Sequence, residues 1–211
     1  MILFDENNLS PVRRRTLERM TNAALKLYQE QKFPSPEEIT REAEYAKVTL
    51  KSYFSTHSEF VEYVVKQVIN SFDKPPMNNT VEENVEKLLT WGFGELDTHE
   101  ALMRDALRIS QQRWQESFSG DVENNDVRYI KKSNRKIALS EALLPLKSEI
   151  PEETRQKLVM LMSVLYGTEA MTVLKDSFGL DKDEIIELTV WGTKLMLRQA
   201  LEEARAKWDN C

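Results

Sequence analysis

Cysteine occurs once in this chain of 211 residues, at Cys211, which excludes a disulfide framework and a cysteine-rich zinc site. Such cysteine usage suits a reducing compartment, and a cytoplasmic protein is expected. Six glycines among long charged and apolar helix formers favour an all-α fold. There are two histidines, His57 and His99, far apart in sequence. No H-E-x-x-H, no glycine-rich phosphate loop and no nucleophile elbow accompanies them. Glu95 and His99 stand four apart, yet the paired E-x-x-H motifs of a di-iron bundle are missing. Neither enzyme chemistry nor a cofactor or metal is therefore expected. Long apolar runs are missing too: nothing approaches the roughly 20 residues of a membrane span, so no membrane partner is expected. The opening Met1-Ile2-Leu3-Phe4-Asp5-Glu6 carries acids and no long apolar stretch, unlike a signal peptide.

The net charge of −6 argues against a nucleic-acid partner until its distribution is read. Through His57 there are nine Lys and Arg against eight Asp and Glu, a difference of +1. The remainder carries 20 against 27, a difference of −7. The acidity lies in the C-terminal part, which leaves the N-terminal part able to meet phosphate with a local basic cluster.

What the chain does have is a dense signal between Ser35 and Phe60. Ser35 suits a helix cap, Pro36 the first helical position, and Glu37 and Glu38 the positive end of the helix dipole. Ile39 and Ala43, four apart, mark a buried edge. After a break at Glu44-Tyr45-Ala46, a second short helix over 47–53 offers Lys47, Val48, Thr49, Lys51 and Ser52 to a partner. Two short helices around a tight turn make a helix-turn-helix, a DNA-reading pattern. Thr49 brings a hydroxyl and a methyl, Lys47 and Lys51 positive charge, and Ser52 a small donor. The lesser alternative is that the two lysines merely solubilise a short helix. Arg13-Arg14-Arg15 opens a preceding amphipathic helix to about Gln31, with Met20, Ala23, Ala24, Leu27 and Tyr28 as its buried stripe. The arginines are either a solvated helix end or phosphate and minor-groove contacts.

This region resembles the TetR family of bacterial transcriptional regulators, whose motif runs I-A-x-x-A-G-V-S-x-x-x-L-Y-x-Y-F-x-x-K-x-x-L. Ile39, Ala43, Leu50, Tyr53, Phe54 and Phe60 fall at matching places without a gap, and Ala24, Leu27 and Tyr28 resemble the family's first-helix pattern. Glu44 stands for the turn glycine, where the turn is expected to keep its left-handed backbone, Ala46 for serine, Lys51 for tyrosine and His57 for lysine; the loop from Lys32 to Ser35 is about two residues short. The resemblance covers about residues 13 to 65. It implies that Tyr53 holds a phosphate, and that His57 presents a helix N-terminus to another.

Further along, a fourth helix is expected from His57 to Phe72, stopped by Asp73-Lys74-Pro75-Pro76. A capping box at Thr80-Val81-Glu82-Glu83 opens a fifth, to about Leu96, weakened towards its end by Gly92 and Gly94. Helices follow over about 99–114 and 122–144, then one from Pro151 to Phe178-Gly179 and one opened by a box-like cap of Asp181 and Glu184 and running to about Trp208. The domain reading is 1–56 for the DNA-binding head and 57–211 for a larger helical domain. By resemblance, the last two helices pair with a second copy into a homodimer, and the middle helices hold a small apolar ligand. Trp91, Phe93, Met103, Leu107, Trp114, Tyr129 and Tyr166 are the residues expected to line its pocket, or else to fill ordinary core. The expected function is a homodimeric repressor reading a palindromic operator in double-stranded DNA. The alternative is a helical dimeric interaction protein that keeps the helix-turn-helix shape without sensing a ligand.

Overall fold

The computed structural model describes residues 9–116 and 134–208, which form ten α-helices and, among the described residues, no strand. They are α1 (Pro11–Gln29), α2 (Pro36–Glu42), α3 (Lys47–Lys51), α4 (His57–Ser71), α5 (Val81–Thr98) and α6 (Glu100–Glu116). After these come α7 (Asn134–Ala142), a 3-10 turn (Leu144–Ser148), α8 (Glu152–Leu165), α9 (Thr168–Phe178) and α10 (Lys182–Trp208). The sequence reads as a connection over Glu116–Gly120; all of it after Glu116, and the part of the 122–144 helix before Asn134, lie outside the described residues. No single described helix is long and apolar enough to cross a membrane. The chain divides into two compact units, Met1–Phe72 with His99–Gln111, and Asp73–Thr98 with Gln112–Cys211.

In the first unit α1 packs on α2 and α4, and α2 on α3. Leu17, Met20, Ala24 and Leu27 of α1 meet Ile39, Leu50, Phe54, Phe60, Val61 and Val64 in a buried core. Ser35 and Glu38 close a reciprocal capping box, Ser35 Oγ accepting from the Glu38 N–H and Glu38 Oε2 from the Ser35 N–H. Helix α2 then ends in a Schellman turn: the Tyr45 N–H reaches Thr40 O at 2.7 Å and the Glu44 N–H reaches Arg41 O at 3.1 Å. That turn places Glu44 at φ 62°, in the left-handed region where the motif has glycine. The loop after α1 repeats the device with Gln31 at φ 58°. At Glu44 a Cβ costs about 1–2 kcal/mol. Its carboxylate recovers part of this through an exposed pair with Arg19 at 3.0 Å. Glu44→Gly should therefore raise stability by up to about 1 kcal/mol after the unfolded chain's entropy gain is deducted. Urea unfolding of parent and variant tests this, and a lower midpoint for the glycine variant would mean that the Arg19 pair outweighs the strain.

In the second unit α5 packs on α7 and α10, and α8 on α7 and α10. Val85, Leu88, Leu89 and Phe93 meet Leu139, Leu143, Leu146, Met162, Ile185 and Leu197 in its core. Three of the helix starts read from sequence carry their caps. Thr80 and Glu83 exchange bonds at the head of α5, Asp181 and Glu184 at the head of α10, as Ser35 and Glu38 do in α2. Helix α5 continues through Gly92 and Gly94 to Thr98, beyond the expected end.

The continuous helix expected from Pro151 to Phe178 is instead two, bent by 46° at Tyr166-Gly167. Tyr166 leaves α8 in extended conformation and stacks edge-to-face on Phe93, ring centroids 5.5 Å apart. Gly167 follows at φ 128°, where a Cβ would also strike the Arg135 guanidinium. Arg135 bridges the break, donating from Nη1 to Ser163 O at 2.9 Å and from Nη2 to Glu169 at 2.5 Å. One cation thus caps the carbonyl end of α8 and pairs with an acid in the first turn of α9.

Candidate nucleic-acid interface

Helix α3 is short and begins without a side-chain cap, since Ala46 stands where the motif has serine. Leu50 anchors its inner side in the core, and Lys47, Val48, Lys51 and Ser52 form the exposed outer side, with Thr49 half-buried. Position along the chain explains the division: 47 and 51, and 48 and 52, are each one helical turn apart. The Ser52 hydroxyl donates to Thr49 O at 2.7 Å, so what it offers a partner is acceptor capacity rather than the expected donor.

Tyr53 is placed differently from the expected phosphate contact. Its hydroxyl donates to Arg13 O at 2.9 Å, while the Arg13 guanidinium lies over its ring at 4.8 Å and donates to Ser52 O at 2.8 Å. These contacts clasp the first turn of α1 to the end of α3, and the Tyr53 proton reaches a phosphate only if the bond to Arg13 opens. The clasp also fixes where the Arg13-Arg14-Arg15 run sits. Sequence reasoning missed it because an arginine's partner 40 residues away leaves no local pattern.

Acids from α2 and its turn neutralise several cations of the head. Lys47 pairs with Glu37, Lys26 with Glu42 at 2.5 Å and Arg19 with Glu44. Lys26 is held above its ordinary pKa by the hydrogen bond and charge of Glu42.

His57 opens α4 as expected, but its ring is half-buried. Its Nδ1 is shut from water and, among the described residues, has no hydrogen-bond partner. Burial first, and Arg108 of α6, hold its pKa below the ordinary 6.5, against the opposing pull of Asp105. Asp105 is itself buried, accepting from the Tyr28 hydroxyl at 2.6 Å and from Arg108 at 2.7 and 2.9 Å. Burial, and then the bond to Asp105, push the Tyr28 phenol far above its usual range. The signal for Asp105 was present in the chain: it interrupts the Leu102 and Ile109 face of α6 at helical spacing.

A pH dependence follows from His57. The folded chain keeps the ring neutral further into acid than the unfolded chain does, so unfolding takes up a proton below about pH 6.5. Stability should fall as pH drops from 6.5 towards the depressed folded pKa, then level off. His57→Gln should lose that component, so its melting temperature relative to the parent should rise on acidification. Parallel melting curves for the two proteins would show the idea wrong.

The residues expected to line a ligand pocket divide between the two units. Met103 is buried and Leu107 half-buried in the first unit. Phe93 and Tyr166 pack on each other inside the second unit's core, and Trp91 packs partly buried against that core. Burial raises the Tyr166 phenol to about 12. Trp114 is 62% exposed, and Tyr129 lies outside the described residues. A hollow of about 490 Å³ opens at Asp97, Lys175, Gly179, Leu180, Asp181, Lys182 and Asp183, none of them among the seven. Its lining is charged, with Lys175 bonded to Asp97 at 2.6 Å. Among the described residues no group of three or more His, Cys, Asp or Glu is placed to hold a metal.

These features define an all-α protein with an N-terminal helix-turn-helix head. The same fold occurs in the crystal structure of a transcriptional regulator from Rhodococcus sp. Rha1, with a TM-score of 0.57 over 88% of this chain and 97% of that one, at 11% identity. No protein-family model matches the chain, and no curated protein matches it.

Proposed function

We propose that the chain is a DNA-binding transcriptional regulator of the TetR type, a homodimeric repressor that reads a palindromic operator and responds to a small apolar ligand. The observation that carries the reading is the α2–α3 helix-turn-helix, with an exposed polar and basic face on α3 clasped by Arg13 to the arginine-rich start of α1. A likeness of fold to a known regulator supports it at the level of class. Residues 1–56 would then read DNA, and 57–211 would dimerise and sense. Two neighbouring helices, α8 and α10, each carry an outward apolar stripe: Met160, Leu161 and Val164 on one, Leu188, Trp191 and Leu195 on the other. A stripe of this kind suits a second copy related by a two-fold axis, which would set two α3 helices about one DNA turn, ~34 Å, apart. A ligand would act by favouring a state whose α3 spacing misfits the operator, to the extent of its differential affinity for the two states.

The competing reading is a helical interaction protein that turns the same head towards a protein partner. The pairing of Glu37, Glu42 and Glu44 with head cations favours it, since each pair removes charge that phosphate would use. Selection of bound fragments from genomic DNA, followed by a salt titration, separates the two. Operator binding must weaken steeply with salt, by a slope of about −0.9 per phosphate neutralised in log–log form. Failure to enrich any fragment at low salt would decide for the interaction protein.

A further inference from the structure

Val48 is the one apolar side chain that α3 (Lys47–Lys51) exposes, at 69%, while Leu50 on the opposite side is buried. The head's packing does not use it, and a β-branched residue is a poor helix former, so neither core nor helix formation accounts for it. It is the second residue of α3, and recognition helices meet base edges with their N-terminal residues. One turn on, Ser52 has spent its hydroxyl proton on Thr49 O, and beside it Lys51 offers a cation. In the major groove, the apolar group on a base edge is the C5-methyl of a pyrimidine.

Resting on the reading above as a DNA-binding regulator, we infer that Val48 is a specificity-determining residue that packs on a pyrimidine C5-methyl in the major groove. The bound half-site therefore carries thymine at one fixed position. 5-Methylcytosine presents the same methyl and is the other source of this chemistry. Val48 sets base preference there, while the neighbouring lysines and arginines supply attraction that does not depend on sequence.

The test begins with the full-length protein and two random duplex pools, one unmethylated and one methylated at CpG. Thymine fixed at one position of each half-site in both pools supports the inference with thymine as the source; methylated CpG displacing it in the second pool supports the inference with 5-methylcytosine. The selected duplex is then remade with uracil for each thymine in turn, or cytosine for 5-methylcytosine, which removes the methyl group alone. At one position per half-site, parent affinity should fall about fourfold, the worth of one buried methyl. Val48→Ala should bind the two versions of the duplex equally while melting like the parent. If removal of the methyl at every position leaves parent affinity unchanged on a duplex that is bound tightly, the assignment of Val48 is overturned and the DNA-binding reading stands. If neither pool enriches for the parent, it is the DNA-binding reading that has failed.

Discussion

Glutamate at both Val164 and Trp191 should leave the protein monomeric and lower its affinity for the selected operator by about a hundredfold or more. The two side chains are 73% and 61% exposed, on neighbouring helices of the second unit. Removing them from a protomer should therefore cost its own fold little. In the proposed dimer each faces a copy of the same surface, so four carboxylates would enter an apolar seam without partners. The loss on DNA follows from valency: two α3 helices held at a fixed spacing bind with an effective concentration that a single head lacks, worth about 10²–10⁴ in affinity. Leu165 would be a poorer probe, because its side chain lies against Gly192 within the same protomer. Tyr166 and Met171 are likewise buried in the protomer's own core. Sedimentation velocity and titration of the selected duplex read both consequences. A double variant that sediments and binds like its parent would remove α8 and α10 from the interface.

The helices with reciprocal caps were legible in the chain almost to the residue, because a capping box is a local device. Ser35 with Glu38, Thr80 with Glu83, and Asp181 with Glu184 each satisfy backbone groups within a single turn, so three residues of spacing carry the whole signal. The left-handed turn at Glu44 was legible for a similar reason: the residues on either side keep their spacing, and the backbone must close the same turn whatever occupies it. The break at Tyr166-Gly167 was not legible. The hydrophobic face runs on through it, and its causes sit on other helices, Arg135 on α7 and Gly92 on α5. The orientation of Tyr53 was hidden in the same way, since a tyrosine that clasps α1 and one that faces outward satisfy the same motif. Local chemistry places the elements, and the side chains that join elements are decided by packing.

Gly92→Ala and Gly94→Ala, two residues apart in α5, should change stability in opposite directions. By propensity alone, each alanine would stabilise a helix interior by about 1 kcal/mol. Around Gly94 no atom of the described residues, the helix's own backbone aside, lies within 4 Å of where the new methyl would stand, so the gain should survive there. At Gly92 the same methyl would fall 1.9 Å from the Tyr166 hydroxyl and 2.5 Å from its Cζ. That ring is held edge-to-face against Phe93 inside the core, so it has little room to withdraw. Overpacking of this kind costs about 1–3 kcal/mol, enough to cancel the propensity gain and reverse its sign. The coupling is testable by a double-mutant cycle with Tyr166→Leu, which vacates the space above Gly92. In that background Gly92→Ala should lose most of its penalty, although Tyr166→Leu is itself destabilising. Because Val164 lies two residues before Tyr166 on α8, the Gly92 variant should also weaken the proposed dimer without touching its surface. Urea unfolding at two protein concentrations separates the effects: a loss confined to the protomer is independent of concentration, and a loss of association is not. If Gly92→Ala instead melts higher than the parent, the tyrosine ring is free to move, and packing over Gly92 does not hold the break.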